Sequence, residues 1–356
     1  MKILVIGAGA IGGFVGGMLA YHGHQVTLLG RPAPMQQLAQ TGLTIQYPQR
    51  PPLVARPQTI SQLIELPHST FDFILLTVKA PDVAQAIAQL QASPLTFDQT
   101  YLVSLQNGIG SEELLAAAFG HAKIIAATIT IPIQVPQPGL IEISKVKGGL
   151  GLAPLSAMQA AGQAEALANA LSQAGLPTVI YPDCHTMKWS KLLLNIINNA
   201  TAAILDEPPA QIIARPELFN LEIAALREAY QVMRALGLRP VKLPGYPTQW
   251  LGRLLATTWL HMGIVRAIMR PFMVSGRGNK MPSLHLDLAA GRRTSEIMFL
   301  NGAIVQAGRK VGIATPVNQA LTTILSGIVS GELKWADYQH QPNKLLAAVR
   351  AKTTTD

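Results

Sequence analysis

Acidic residues are scarce in this chain. Its 356 residues hold 19 Asp and Glu against 28 Lys and Arg, a formal net charge of +9, and no acid occurs before Glu65. Only 13% of the residues are charged and 49% are apolar, which excludes a disordered chain and indicates a globular one. The basic residues are scattered and aromatics make up 5%, so a nucleic-acid surface of dense bases interleaved with rings is not expected. A basic enzyme that handles an anionic cofactor and an acidic small molecule explains the same balance. The single cysteine, Cys184, excludes an intrachain disulfide and reads as a small buried hydrophobe. No metal site is expected.

Long hydrophobic runs are also missing. The longest charge-free candidate, residues 124–141, is interrupted by Pro132, Pro136 and Pro138 and reads as strands and turns, so a membrane partner is not expected. Lys2 followed by an apolar stretch to Ala20 has the outline of a signal peptide. That stretch, however, holds Gly7, Gly9, Gly12, Gly13, Gly16 and Gly17 and leads straight into a strand-like run at 25–29. Removing it would delete the first strand of the fold, so a cytoplasmic protein is expected.

The first half alternates β-branched runs (2–6, 25–29, 72–78, 101–105, 123–131) with helical patterns (11–21, 33–40, 82–90, 112–119). Such alternation predicts βαβ units and a mostly parallel, doubly wound α/β sheet. A hairpin pair at 139–144 and 148–152, a helix at 157–174 and a last strand at 178–181 are expected to finish it. From about residue 183 the pattern turns all-helical, with helices expected at 185–205, 216–236, within 246–273, at 284–311 and at 317–330. The expected division is a dinucleotide-binding domain at 1–182, a helical substrate domain at 183–350 and a tail at 351–356.

The segment Gly7-Ala-Gly9-Ala10-Ile11-Gly12 is a G-x-G-x-x-G placed directly after a strand and opening a helix. Gly7 permits the tight turn, Gly9 lets the backbone approach a pyrophosphate, and Gly12 lets helix and sheet pack closely. The N–H groups at the helix start, at Ala10 and Ile11, then hold the anion. A site for NAD has an acid at the end of the second strand, bonding the ribose 2′-hydroxyl. Here that strand ends Leu29-Gly30-Arg31. An arginine pairs with a 2′-phosphate where a carboxylate would repel it, so the cofactor expected is NADPH.

Ligands of doubly wound sheets bind beyond the carboxyl ends of the strands, where Lys79 and Gln106-Asn107-Gly108 fall. The second half opens with Lys191, Asn195 and Asn199, spaced by four on one face of an otherwise apolar helix. A buried lysine between asparagines is costly as scaffold. Desolvation lowers a lysine pKa, which suits a proton donor. A second polar set comprises Ser283, Asp287, Glu296, at the start of a long helix, and Asn301.

Together these pieces resemble the ketopantoate reductase family (2-dehydropantoate 2-reductases). The resemblance rests on Gly7–Gly13, Lys79, Gln106–Gly108, the stretch Trp189–Asn199, Ser283 with Asp287, Glu296–Gly302, and the run from Val311 to Asn318. It implies a Rossmann-type domain followed by a helical domain like the carboxyl-terminal one of 6-phosphogluconate dehydrogenase. It further implies hydride transfer from NADPH to the 2-keto group of ketopantoate, in pantothenate and coenzyme A supply. By the same resemblance Lys191 is the general acid and Glu296 its catalytic partner, which also touches the cofactor. Asn107, Asn195, Asn199 and Ser283 are implied to hold the substrate, with Asn107, Arg31 and Lys79 also on the cofactor. A homodimer is compatible with this reading. Two readings stay open beside it: the same chemistry on another small 2-oxo acid or ketone, and a non-catalytic NADPH-binding regulator. The stretch from Lys191 to Ser283 is some two dozen residues longer than in compact members; the extra part falls around 246–280.

Overall fold

A computed structural model describes residues 1–66, 69–257, 262–277 and 280–353. In chain order its elements begin β1 (Lys2–Ile6), α1 (Ala10–Tyr21), β2 (Gln25–Leu29), α2 (Pro32–Thr41), β3 (Leu43–Gln46), β4 (Leu53–Ala55) and β5 (Gln58–Ile60). They continue with β6 (Phe73–Leu76), α3 (Val83–Gln91), β7 (Tyr101–Ser104), α4 (Ser111–Phe119), β8 (Ile124–Ile129), β9 (Ile133–Gln137), β10 (Leu140–Ile143), β11 (Leu150–Pro154), α5 (Ala157–Gln173) and β12 (Thr178–Ile180). The remainder is helical: α6 (Cys184–Ile196), α7 (Asn199–Leu205), α8 (Pro209–Ala214), α9 (Pro216–Ala235), α10 (Thr248–Ala256) and α11 (Met262–Arg277). It ends with α12 (Ser283–Ala289), α13 (Asn301–Val311), α14 (Pro316–Ser330) and α15 (Pro342–Thr353).

The chain divides into two compact units. The first comprises Met1–Gln106, Gly110–Lys188 and Lys242–Tyr246; the second comprises Asn107–Ile109, Trp189–Val241 and Pro247–Asp356. The first unit holds an eight-stranded sheet in the order β12-β11-β8-β7-β6-β1-β2-β5, parallel throughout except where β11 runs against β8. Its strands read as unbroken apolar runs because helices cover both faces, the burial expected of parallel sheets.

A second sheet, β4-β3-β10-β9, was not expected from the sequence. The hairpin expected at 139–144 and 148–152 does not form: β10 joins this second sheet, while β11 pairs with β8 and β12 in the first. The strands β3, β4, β5 and β9 are three to five residues long, too short for a period-two pattern to stand out.

The helix α1 touches this second sheet as well as the first, and that assigns the glycines beyond the fingerprint. A Cβ on Gly16 would lie 2.7 Å from Leu28 of the main sheet, and one on Gly17 would lie 2.7 Å from Leu43 of the small sheet.

The second unit is built round one apolar core from α6 through α15. Two expected helices are split. The expected helix at 185–205 breaks at Ile197–Asn198, where Asn198 adopts a left-handed φ of +55°. The one expected at 284–311 is α12, then a single 3₁₀ turn at Glu296–Phe299, then α13. Apolar residues flank the break at Ile197–Asn198, so the pattern alone does not reveal it, whereas the second gap falls on Gly291 and the polar run Arg292–Ser295, a loop signal that the single long helix overrode. Of the expected tail, Ala351–Thr353 finish α15 and 354–356 lie outside the described residues. Among the described residues no helix is long and apolar enough to cross a membrane.

Candidate active site

In the first unit the fingerprint residues lie at the carboxyl ends of three neighbouring strands. Gly7 takes a φ of +106°, and a Cβ there would come within 2.9 Å of the Val78 backbone nitrogen. Its N–H donates to Leu29 O at the end of β2 (3.0 Å), and its carbonyl accepts from Thr77 Oγ1 beyond β6 (2.7 Å). A Cβ on Gly12 would sit 2.1 Å from Gly7 O, so only glycine fits there. Gly9 has open space where a Cβ would be. The first turn of α1, at Ala10 and Ile11, carries neither a capping side chain nor an acid. Its leading N–H groups and positive dipole end therefore suit a pyrophosphate. Arg31 follows β2 as an exposed residue just before Pro32, which opens α2, and Lys79 follows β6, half-buried.

The loop after β7 is anchored by Gln106 together with Ser104, Glu112 and Lys188, three groups the sequence did not single out. Gln106, 4% exposed, donates through Nε2 to Leu76 O (2.8 Å) and Val78 O (3.1 Å), fixing the strand end that precedes Lys79. Its own carbonyl accepts from the Lys188 ammonium (2.6 Å), which also pairs with Glu112 at 2.7 Å. Ser104 Oγ lies 2.7 Å from Glu112 and 2.8 Å from the Gln106 side-chain oxygen. Lys188 and Glu112 are 4% and 3% exposed. The buried lysine of this helix is thus Lys188, while Lys191 is half-buried. Both lysines stand in an apolar helical stretch, so residue type and spacing do not say which is enclosed.

In the second unit the residues named from the sequence form a connected set. Asn195 Nδ2 donates to Asn107 Oδ1 (3.1 Å), and Asn199 Nδ2 donates back to the Asn195 carbonyl (3.1 Å) across the helix break. Asn199 Oδ1 accepts from Leu284 N (3.2 Å), which fixes the start of α12 next to Ser283. A Cβ on Gly108 would lie 2.3 Å from Phe299 O, and Ile109 N donates to that same oxygen (3.0 Å). Phe299 ends the 3₁₀ turn that begins with Glu296, itself 3% exposed, so residues 107–109 join the asparagine pair to the glutamate's turn. Lys191 stands one turn ahead of Asn195 on α6, at the half-buried edge of this set.

Behind it lies a second buried network. Asn301 donates to Asn318 (2.9 Å), which with Val317 donates backbone N–H groups to Glu228. Burial raises the Glu228 carboxyl above its usual range, against the hydrogen bonds from Asn318 and Val317. Glu228 thus caps α14 from another helix, and Asn301 serves structure. Asp287 faces Arg292 at 3.4 Å. Cys184 is buried, and burial raises its thiol pKa to about 12, which makes it inert. Among the described residues no group of three or more His, Cys, Asp or Glu is arranged to hold a metal ion.

Comparison with known proteins decides the family. The model described as "Ketopantoate reductase PanE/ApbA" matches residues 3–156, and its carboxyl-terminal counterpart matches residues 183–329. The chain belongs to the ketopantoate reductase family. It is 30% identical over 322 residues to the 2-dehydropantoate 2-reductase of Vibrio cholerae, covering 90% of this chain and 95% of that one. It is 25% identical over 325 residues to the enzyme of that name from Aquifex aeolicus, covering 91% and 96%. Among solved structures, a PanE/ApbA family ketopantoate reductase from Ralstonia eutropha matches with a TM-score of 0.76 at 26% identity, covering 93% of this chain and 99% of that one. These family matches span both the glycine-rich loop and the Lys191–Asn199 segment.

Proposed function

We propose that this chain reduces 2-dehydropantoate to pantoate, with NADPH as reductant and Lys191 as general acid. The observation that carries this reading is the hydrogen-bonded series Asn107–Asn195–Asn199–Leu284, next to Ser283 and beside the Glu296 turn, with Asn195 on the helix that bears Lys191. A proton donor and several amides around one site are what a small hydroxylated keto acid requires.

When bound, NADPH supplies the hydride that the keto carbon accepts. Gly7, Gly9, Gly12 and the N–H groups of Ala10 and Ile11 are assigned to its pyrophosphate, Arg31 to the 2′-phosphate and Lys79 to a further phosphate contact. As the keto carbon becomes tetrahedral, negative charge gathers on its oxygen. The Lys191 ammonium stabilises that charge and then donates one proton, leaving a hydroxyl and a neutral amine that regains its proton from solvent. Glu296 is assigned to hold Lys191 in the protonated state and to contact the cofactor. Asn195 and Ser283 are assigned to the substrate, and Asn107 to both ligands. Asn199 spends its amide within the protein, and its part is to set the spacing between Asn195 and Ser283. The working protein is proposed to be a cytoplasmic enzyme of pantothenate and coenzyme A supply, and a homodimer.

Lys191→Ala is the direct test. General acid catalysis contributes about 10²–10⁴-fold, so kcat should fall by that factor while the dissociation constant for NADPH stays within about twofold. A near-normal kcat in that variant would sink the assignment.

A further inference from the structure

The stretch from Tyr246 to Lys280 holds Arg253, Arg266, Arg270, Arg277 and Lys280 and no acid. No residue assigned to the keto acid or to the cofactor falls within it. Its two helices turn Leu251, Leu255, Val265, Met269 and Met273 into the core of the second unit. Large apolar side chains remain on their other side: Trp250 is 61% exposed, Ile268 55% and Ile264 49%. Between α10 and α11 lies a slot of about 400 Å³, bordered by Trp250, Leu251, Leu254, Ile268 and Met269, with Arg253 as its charged member among the described residues. That volume is within the roughly 300–1,000 Å³ of small-molecule sites, and a mainly apolar lining with a few polar groups, here Arg253 and Thr257, is their usual make-up.

Arg253 makes a cation–π contact. Its guanidinium carbon lies 4.9 Å from the centroid of the Trp250 ring. Such a contact spends none of the guanidinium N–H donors on a hydrogen bond to the ring's edge and suits them to an oxyanion. We propose that this slot binds a small amphipathic anion, with an acyl or aryl chain between α10 and α11 and a carboxylate or phosphate at Arg253. A second copy of the chain is a poor occupant, because a two-fold contact would set this acid-free, basic stretch against itself. A bilayer surface cannot follow a concave slot, whereas a single detached chain fills it.

Calorimetric titration with decanoate below its micelle concentration, beside uncharged decanol, tests the proposal on the full chain. Decanoate should bind saturably at one site. Arg253→Gln should weaken decanoate about tenfold, the loss of one charged hydrogen bond, and leave decanol unchanged. Ile268→Trp, which fills the slot, should abolish both, with NADPH binding intact in each variant as the control for folding. Absence of saturable binding, or equal binding to Ile268→Trp, overturns the proposal. So does binding confined to phosphatidylglycerol vesicles, which makes the face a membrane contact. A dimer that Ile268→Trp converts to monomer also overturns it, since the face is then a subunit interface.

Discussion

At the scale of single residues, the acid missing from the end of β2 carries the cofactor argument. Arg31 stands exposed where an NAD site would place a carboxylate, and no acid precedes Glu65. On the proposed NADPH reading, Arg31→Glu replaces an attractive contact to the 2′-phosphate with a repulsive one. The KM for NADPH should rise roughly tenfold or more, a charged hydrogen bond's worth, while that for NADH changes little. Equal effects on the two cofactors would mean that Arg31 does not face the 2′-phosphate. Residue-scale reading was least able to judge enclosure. Lys191 and Lys188 are three apart on α6, and only the fold shows that Lys188 is the enclosed one, because Glu112 and Gln106 reach it from distant parts of the chain.

At the scale of elements, legibility followed length and continuity. β1 and β2 were readable to the residue, being apolar runs next to a glycine turn, and α1 to within one residue. The small sheet was not, since its strands are three to five residues long and its two local antiparallel pairs are joined only by β3 and β10, far apart in sequence. The break after α6 escaped for a different reason, since a helix can stop at Asn198 without losing its apolar stripe; the gap before Glu296 does carry a loop signal, Gly291 followed by Arg292–Ser295. Asn199 illustrates the consequence. Spacing by four put it on one face with Asn195, and it does bond Asn195, but as the first residue of a new helix. The loop 104–112 is held to α6 by the Lys188–Glu112 pair, which tests whether that anchoring matters. Lys188→Met leaves a buried carboxylate without its partner and should cost about 3–5 kcal/mol in urea unfolding. Adding Glu112→Gln should recover much of that loss. Additive losses in the double variant would show that the two side chains do not depend on each other.

At the scale of the whole chain, the residues proposed for cofactor and substrate fall in two units with separate cores. The first supplies a glycine-rich loop with a constrained Gly7 and Gly12, and α1 contacting both sheets. The second supplies the lysine helix and the linked asparagines. Membership of the ketopantoate reductase family was legible because its motifs are strung along nearly the whole sequence in order. The identity of the keto acid is a different matter: it depends on how side chains far apart in the chain converge, and spacing does not encode that. The measurement that addresses it first is consumption of reduced cofactor by the purified protein, with 2-dehydropantoate and other 2-oxo acids side by side, each with NADPH and with NADH. Fastest turnover with 2-dehydropantoate and NADPH is the expected result. Preference for another keto acid or for NADH, or no turnover by a protein that still binds NADPH, would contradict it.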